Sequence, residues 1–226
     1  MTPERFAKAV QVLNYRQPDL TVVTDQVHKD QNLSAIIRTC DAVGIMALHS
    51  VYDAATFKAH TGTTMGTHKW VETKIFRDIN TPLKRLKNDN YQIVAADISG
   101  STKDYRDIDY SVPTALLLGA EKYGISDAAY PYIDQCITVP MMGMVESFNV
   151  SVACAIILAE ARRQRESSGH YDKRQITDDV FRKTILEWTQ PLVARYCQKH
   201  NIAYPELDDN GNIQDLDWRT RGHVLD

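Results

Sequence analysis

The sequence lacks the signature patterns of three common enzyme classes. It contains no G-x-G-x-x-G, so a dinucleotide-binding enzyme would be without its usual phosphate loop. It contains no G-x-S-x-G, the turn that carries the nucleophile of many hydrolases. Gly119 and Gly124 have the spacing of a P-loop, but Ile125 and Ser126 stand where lysine and serine or threonine are required. The chemistry of this chain must therefore be sought elsewhere.

Cysteine, histidine and long apolar runs are also too sparse or scattered to indicate a metal site, a disulfide framework or a membrane span. The four cysteines form no C-x-x-C pair, and their apolar neighbours are typical of buried, reduced thiols. The seven histidines include no H-E-x-x-H. No apolar run approaches ~18 residues, and the N-terminus lacks the apolar stretch of a signal peptide. We expect a cytoplasmic protein that uses neither metal nor membrane.

The chain has no excess of positive charge, since its formal net charge is −3. The distribution is uneven, however. Residues 205–226 hold six acidic and two basic side chains, whereas residues 162–174 hold five basic and two acidic ones. A local basic patch can bind phosphates while the whole chain stays near neutrality. The alternative is a solvated helix end whose cations favour the helix dipole, and the sequence leaves both open.

The middle of the chain alternates between short apolar runs and helical patterns. Residues 54–66 are predicted to be irregular or briefly helical. This alternation is typical of an α/β fold with a mainly parallel sheet and helices on both faces. Strands are predicted at 20–25, 46–52, 70–76, 91–98, 114–118 and 135–139, and helices at 34–43, 80–87 and 149–164.

Helical patterns flank this core on both sides. Thr2-Pro3-Glu4 is a helix-start signal, and Pro18 should end that helix. A long helical pattern at 178–200 contains Pro191, which should kink or split it. The predicted division is an N-terminal helical extension at 1–19, a core at 20–166, and a C-terminal helical extension with an acidic tail at 167–226.

The most informative segment is 139–151, which joins a predicted strand end to a predicted helix start. Pro140 and Gly143 interrupt a nearly uncharged loop that could wrap an apolar-edged cofactor and has no lysine for a triphosphate. This segment resembles the third motif of the SpoU/TrmH family of SPOUT RNA methyltransferases. Residues 32–39 resemble the first motif of that family, and residues 116–125 resemble the second.

The resemblance implies a fold with a deep C-terminal trefoil knot, a homodimer, and methyl transfer from S-adenosylmethionine to a ribose 2′-hydroxyl. The helical flanks resemble those of members that act on guanosine 18 of tRNA. Alternatives are ribosomal RNA or another tRNA position as acceptor, and a non-catalytic RNA-binding or assembly factor on the same fold. The intact motif residues argue against the non-catalytic alternative.

Five polar residues match catalytic positions of the family. Arg38 would anchor an RNA phosphate and orient the 2′-oxygen, and Asn32, predicted at a helix N-cap, would orient Arg38 or the ribose. Glu121 would accept hydrogen bonds from RNA or compensate the charge of Arg38. The alternative is an ion pair with Lys122 or another cation. Ser147 and Asn149 match the family's Ser-x-Asn, although both could merely cap the helix that follows.

Two further sets of residues follow from the resemblance. The cofactor pocket should be apolar and built largely of backbone, with Gly119 permitting close approach. Phe148 departs from the leucine that is usual in this family and could tighten the adenine slot. The matching cofactor positions are Ala96, Leu118, Gly119, Val139, Met141, Met144 and Phe148. The candidate RNA contacts are Arg5, Lys8, Arg16, Arg163, Arg165 and Lys173.

Overall fold

A computed structural model describes residues 1–51, 69–97, 102–215 and 217–220. The segment predicted to be irregular, 54–66, lies outside the described residues. The chain forms two compact units. One unit comprises Gln17–His170, and the other comprises Met1–Arg16 together with Tyr171–Asp226.

The larger unit is built on a sheet whose seven strands are all parallel. The strand order is β3-β2-β1-β6-β4-β7-β5, so β1 and β6 pair at the centre where the winding direction reverses. The carboxyl ends of the strands around such a switch point form the usual ligand-binding crevice of an open α/β sheet. The strands are β1 Leu20–Asp25, β2 Ala47–Val51, β3 Glu72–Phe76, β4 Gln92–Ala96, β5 Lys103–Asp104, β6 Thr114–Leu118 and β7 Gln135–Thr138.

The predicted parallel α/β sheet is therefore confirmed. The two-residue β5 was not predicted, because so short a strand has no periodicity to detect. The described helices of the whole chain are α1 Pro3–Asn14, α2 Asp30–Ala42, α3 Asn80–Asn88, α4 Val150–Ser167, α5 Asp178–Thr189 and α6 Pro191–His200.

The central strands are apolar throughout because both faces of the sheet are covered. Every residue of β1 and β6 is buried. Successive side chains alternate between the two faces, so Val22 and Leu116 belong to one core cluster while Val23 and Leu117 belong to the other. Helices α2 and α4 cover the first face, and α3 covers the second.

Helix α2 begins earlier than predicted. The sequence placed its start at Ser34 and Asn32 at its N-cap, but the helix starts at Asp30 and its N-cap is Lys29. Asp30 supplies a first-turn carboxylate, which favours the helix dipole. Asn32 consequently lies inside the first turn, and its side chain is free of a capping role. No helix among the described residues is long and apolar enough to cross a membrane.

The smaller unit consists of α1, α5, α6 and the segment that follows. The side chain of Thr2 caps α1 by accepting from the backbone of Arg5, as the sequence predicts for that helix start. Pro191 splits the predicted 178–200 helix into α5 and α6, which is one of the two predicted outcomes. Gly211 has a positive φ of 81°, and an added Cβ there would approach the Phe6 ring to 2.4 Å.

Candidate active site

The loop after β6 carries Glu121 at the carboxyl edge of the sheet. Two backbone hydrogen bonds close this loop, from Ala120 N to Gly124 O at 3.0 Å and from Gly124 N to Ala120 O at 2.8 Å. Its far end is fixed to the buried Asp25 carboxylate, which accepts from the backbone and hydroxyl of Ser126 at 2.8 and 2.6 Å. The loop is therefore tied at both ends.

Gly119 is required by the loop itself. A Cβ at this position would lie 2.3 Å from the carbonyl carbon of Gly124 and 2.6 Å from the nitrogen of Ile125. Such distances are not tolerated between non-bonded atoms, so any side chain would force the loop open. The close approach that the sequence assigned to a ligand is thus made here by the backbone of the loop.

The Glu121 carboxylate, which belongs to the second motif region, accepts hydrogen bonds from residues in or next to the first and third motif regions. Its Oε1 accepts from the Asn32 amide at 2.9 Å and from the Asn149 amide at 2.6 Å, and its Oε2 accepts from the Lys29 ammonium. The hydrogen bond from Lys29, followed by those from Asn32 and Asn149, lowers the pKa of Glu121. The carboxylate is therefore held ionised as an acceptor.

Asn149 has two structural tasks at once. Its Oδ1 caps α4 by accepting from the backbone and hydroxyl of Ser151 at 2.9 and 2.6 Å. Its amide nitrogen donates both to Glu121 and to Asn32 Oδ1, the latter at 3.0 Å. The cap fixes the amide, so Asn149 presents both donors in a set direction. The capping role and the proposed site role are compatible.

A cavity of 370 Å³ lies beside this network. Its volume falls within the range of about 300–1,000 Å³ that is common for small-molecule sites. Five of the predicted cofactor positions and the predicted Ser147 line it, together with Glu121 and Asp97. Met141 and Met144 do not line it, and Met144 is fully exposed. The predicted positions on its wall are Ala96, Leu118, Gly119, Val139 and Phe148.

Arg38 lies apart from this cavity. It is exposed and lines a separate hollow of 680 Å³ between α2 and α4, together with Arg162 and Arg163. Six residues separate Asn32 from Arg38, which corresponds to a rotation of about 240° and a rise of about 9 Å along an α-helix. The two side chains therefore leave α2 in different directions, and one chain does not bring Arg38 to Glu121.

Arg165, predicted as an RNA contact, does not lie at the surface where such a contact would be made. Its side chain is fully buried, and its Nη1 donates to Asp19 at 2.6 Å and to Gln17 at 3.0 Å. Its Nε and Nη2 donate to the carbonyl oxygens of Tyr110 and Val112 at 2.8 and 3.1 Å. With its donors directed inward, no phosphate could reach the guanidinium without displacing core contacts.

Arg16 is a second correction, because it too is fully buried. Its guanidinium lies over the Trp188 ring, 5.2 Å from the centroid, in a cation–π contact inside the smaller unit. Arg16 follows the end of α1, so helical phase does not predict its burial. By contrast, Arg5, Lys8 and Lys173 are exposed, as an RNA contact requires.

The basic segment 162–174 is less positive than its composition suggests. Arg162 pairs with Glu166 at 3.9 Å, Arg163 pairs with Glu160 at 2.7 Å, and Arg174 pairs with Asp178. Exposed ion pairs of this kind are weak, so a phosphate could replace either carboxylate partner of Arg162 and Arg163. The buried pair of Arg165 with Asp19 is not exchangeable in that way.

The sequence missed Lys29 as a site residue. Lys29 and Asn32 are three residues apart, which places them on the same helical face. That signal was hidden because the helix was predicted to begin at Ser34. The Asp97 side chain on the cavity wall was missed as well. Its carboxylate accepts from the Tyr130 hydroxyl at 2.6 Å.

Comparison with known proteins matches the chain to two family models and to named relatives. Residues 19–159 match the model of the SpoU rRNA Methylase family, and residues 163–216 match that of the SpoU rRNA methylase C-terminal domain. The chain is 40% identical to the tRNA (guanosine(18)-2′-O)-methyltransferase of Escherichia coli K12 over 221 residues, covering 96% of each chain.

Two solved structures are similar in fold. The Aquifex aeolicus TrmH/SpoU tRNA modifying enzyme has a TM-score of 0.78 and 39% identity, covering 82% of this chain and 94% of that one. The SpoU methyltransferase AviRb from Streptomyces viridochromogenes, in complex with the cofactor AdoMet, has a TM-score of 0.60 and 25% identity, covering 68% of this chain and 62% of that one. From the motifs, the sheet and these matches, the chain belongs to the SpoU/TrmH family of SPOUT methyltransferases.

Proposed function

We propose that this protein transfers the methyl group of S-adenosylmethionine to the ribose 2′-hydroxyl of guanosine 18 in tRNA. The observation that carries the proposal is the convergence of Asn32, Glu121 and Asn149 beside a cavity. A relative with 40% identity over 96% of the chain has this activity in its name. We place the reaction in the cytoplasm, where its tRNA substrate would be found.

The cavity residues fit the proposed cofactor. Leu118, Val139 and Phe148 offer apolar surface for a nucleoside, and backbone groups between them can fix its polar edge. Glu121 and Asp97 place carboxylates on the same wall, which suits a ligand that carries positive charge. When bound, the sulfonium supplies the activated methyl group, so the protein need only position the acceptor.

Arg38 would act on the acceptor rather than remove its proton. A guanidinium keeps its proton in proteins, which makes it a poor general base. Its planar donors suit a phosphate beside the target ribose, and its charge would stabilise the 2′-oxygen as negative charge develops there. The proton of the hydroxyl would leave through water. Glu121 and Asn149 would hold the ribose, and Ser147 would close the cavity on the acceptor side.

A homodimer would resolve the separation of Arg38 from the Glu121 network. Helix α4 presents an apolar stripe at Val152, Ala155 and Ala159, and Val152 is 44% exposed although it is apolar. Exposed apolar surface of this kind marks a contact with another molecule. We propose that a second copy covers the stripe and brings its own Arg38 to the cavity.

Mixing two inactive variants tests this arrangement. Arg38→Ala and Glu121→Ala should each lower transfer to about 1% or less of the wild-type rate. Refolding them together should restore about one quarter of wild-type activity. That fraction follows because half of randomly paired dimers are mixed and each mixed dimer has one intact site of two. Failure of the mixture to regain activity, with mixed dimers demonstrated, would place both residues in the site of a single chain.

The trefoil knot is a further part of the proposal. We propose that β7, the loop 139–149 and α4 thread behind the loop that carries Glu121, as the family resemblance implies. Pairing of β7 with β4 and packing of α4 against α2 support that path. On this view the segments 1–19 and 167–226 are helical additions that hold tRNA outside the core at 20–166, through the exposed Arg5, Lys8 and Lys173.

Ribosomal RNA is the second candidate acceptor, because the family model that matches carries an rRNA methylase description. The deciding assay offers radiolabelled S-adenosylmethionine with unmodified tRNA transcript, with tRNA carrying 2′-deoxyguanosine at position 18, and with ribosomal RNA. We expect label only in the first, mapped to the ribose of guanosine 18. Labelling of ribosomal RNA but not tRNA would replace the proposed acceptor, and label in the deoxy substrate would place the methyl on another atom.

A further inference from the structure

The loop that carries Glu121 also displays an aromatic ring to solvent. Tyr123 is 75% exposed, although tyrosine is a residue that proteins usually cover at least in part. It stands two residues after Glu121 and directly before Gly124, whose positive φ of 66° turns the chain back toward Ser126. The ring is thus held at the tip of a loop that is tied at both ends.

Lys122 gives this ring a defined environment. Its ammonium lies 5.0 Å from the centroid of the Tyr123 ring, so one face carries a cation. Lys122 also lines the 370 Å³ cavity, whereas Tyr123 does not. The aromatic ring therefore lies outside the proposed cofactor cavity, next to a positive charge at its mouth.

We propose that Tyr123 stacks on an unpaired base of the RNA acceptor at the mouth of the cavity. This inference rests on the proposed function and names a contact that positions the same substrate. A ribose that presents its 2′-hydroxyl at Glu121 brings its own base and phosphates to the loop around that residue. Unpaired bases bind readily to exposed aromatic rings, and an adjacent lysine favours the phosphate that accompanies the base.

The rigidity of the loop makes this contact effective. Gly119 and the Ala120–Gly124 hydrogen bonds fix the backbone that carries the ring, so stacking has to order only the Tyr123 side chain. The same loop fixes Glu121, so a base bound at Tyr123 would set the distance between its ribose and the carboxylate. Tyr123 is accordingly a positioning residue, and Glu121 touches the ribose.

The test compares four substitutions of Tyr123 in tRNA binding. Tyr123→Phe and Tyr123→Trp retain an aromatic face and should bind tRNA as the wild type does. Tyr123→Ala and Tyr123→Leu remove it and should weaken binding roughly tenfold, the equivalent of about 1.4 kcal/mol. The matched control is Ile75→Ala, since Ile75 is also 46% exposed but lies on β3, the strand at one end of the sheet.

Three readouts decide the outcome. Calorimetric binding of S-adenosylhomocysteine and the sedimentation coefficient should be unchanged in every variant. Wild-type affinity in Tyr123→Ala, or full affinity in Tyr123→Leu, would overturn stacking, and a changed sedimentation coefficient would mean that the residue contacts a second copy instead. If wild-type protein binds no tRNA, the proposed function fails, and the stacking contact fails with it.

Discussion

Helix α4 joins two polar clusters that differ in what they leave accessible. At its start, Asn149 helps hold the Glu121 carboxylate, whose side chain is 29% exposed and lies on the cavity wall. Near its end, Arg165 holds Asp19 and the carbonyl groups of Tyr110 and Val112, and its own side chain is 0% exposed. The first cluster follows the carboxyl end of β6, and the second precedes the amino ends of β1 and β6.

The difference shows that burial decides what a charged residue does. In the Arg165 cluster the donors meet acceptors of the protein, so the cluster fixes the loop before β6 against α4. In the Glu121 cluster the donors are the buried Asn32 and the exposed Lys29 and Asn149, and the carboxylate remains within reach of a ligand. The Arg165 cluster stabilises the sheet at the amino ends of its strands. The Glu121 cluster is available for chemistry at the carboxyl ends.

The largest effect that we predict is on stability, for Arg165→Met. Methionine fills much of the volume but removes the donors to Asp19, to the buried carbonyl oxygen of Tyr110 and to the carbonyl oxygen of Val112. Breaking a buried pair in this way costs about 3–5 kcal/mol. Urea denaturation followed by circular dichroism should show that loss. The matched control is Arg163→Met, whose exposed pair with Glu160 should change stability by less than about 1 kcal/mol.

One result for Arg165→Met would contradict the distinction between the Arg165 cluster and the Glu121 cluster. If Arg165→Met kept wild-type stability but lost tRNA affinity, the guanidinium would have to turn outward to meet RNA. The buried contacts would then describe only the RNA-free state, and both clusters would serve the substrate.

The second prediction concerns turnover in Arg38→Ala. Loss of a pre-organised donor to developing charge should lower methyl transfer by about 10²-fold. Stability and S-adenosylhomocysteine binding should be retained, because Arg38 is exposed and lies outside the cofactor cavity. Arg38→Lys keeps the charge but not the planar fork, and it should restore little. Arg85→Ala, an exposed arginine of α3, provides the control. Wild-type turnover in Arg38→Ala would remove its assigned role.

The sequence predicted the parts of the fold that repeat a pattern. The bounds of β1 and β6 were predicted as observed, because strands covered on both faces are continuous apolar runs. The start of α2 was missed by four residues, since Asp30 is a polar residue that could equally belong to a loop. Because the start of α2 was predicted too late, the position of Lys29 beside Glu121 was not predicted either. Local patterns do not show which residues from distant segments meet.

The role of Arg165 was within reach of the sequence. The buried residues Val150, Cys154, Ile157 and Ala161 form one stripe of α4, and Arg165 continues it one turn later. Arg163 lies off that stripe and is 66% exposed. Helical phase therefore separates the two arginines, whereas composition treats them as one basic patch. The direction of Arg38 likewise follows from its offset of six residues from Asn32.

The third prediction concerns Arg162 and Arg163, the exposed arginines near the end of α4. Arg162→Gln with Arg163→Gln should weaken tRNA binding several-fold and lower the slope of log affinity against log salt by at most about 2. Both arginines already pair with glutamates, so part of their interaction with phosphate is offset. Arg85→Gln, an arginine of α3 that pairs with Asp89, is the control. A salt slope equal to that of the wild type would show that the pairs are not exchanged for phosphate.

The smallest effect is expected for Lys29→Met, which tests the Glu121 cluster. The hydrogen bond from Lys29 is the main cause of the lowered pKa of Glu121, so its removal should let that pKa rise toward the ordinary value of 4.5. A raised pKa means that Glu121 takes up its proton at a higher pH as the solution is acidified. The acid limb of the pH profile for methyl transfer should therefore move to higher pH.

Near neutral pH the Glu121 carboxylate is ionised in both proteins, so turnover there should change little. The lost ammonium would instead leave a negative charge beside the approaching RNA, and the KM for tRNA should rise modestly at low salt and recover as salt screens the charge. Lys29→Arg should behave as the wild type, and Lys84→Met on α3 tests the loss of an unrelated exposed lysine. An unshifted acid limb in Lys29→Met would mean that Glu121 does not set it, and the Glu121 cluster would then be structural like the Arg165 cluster.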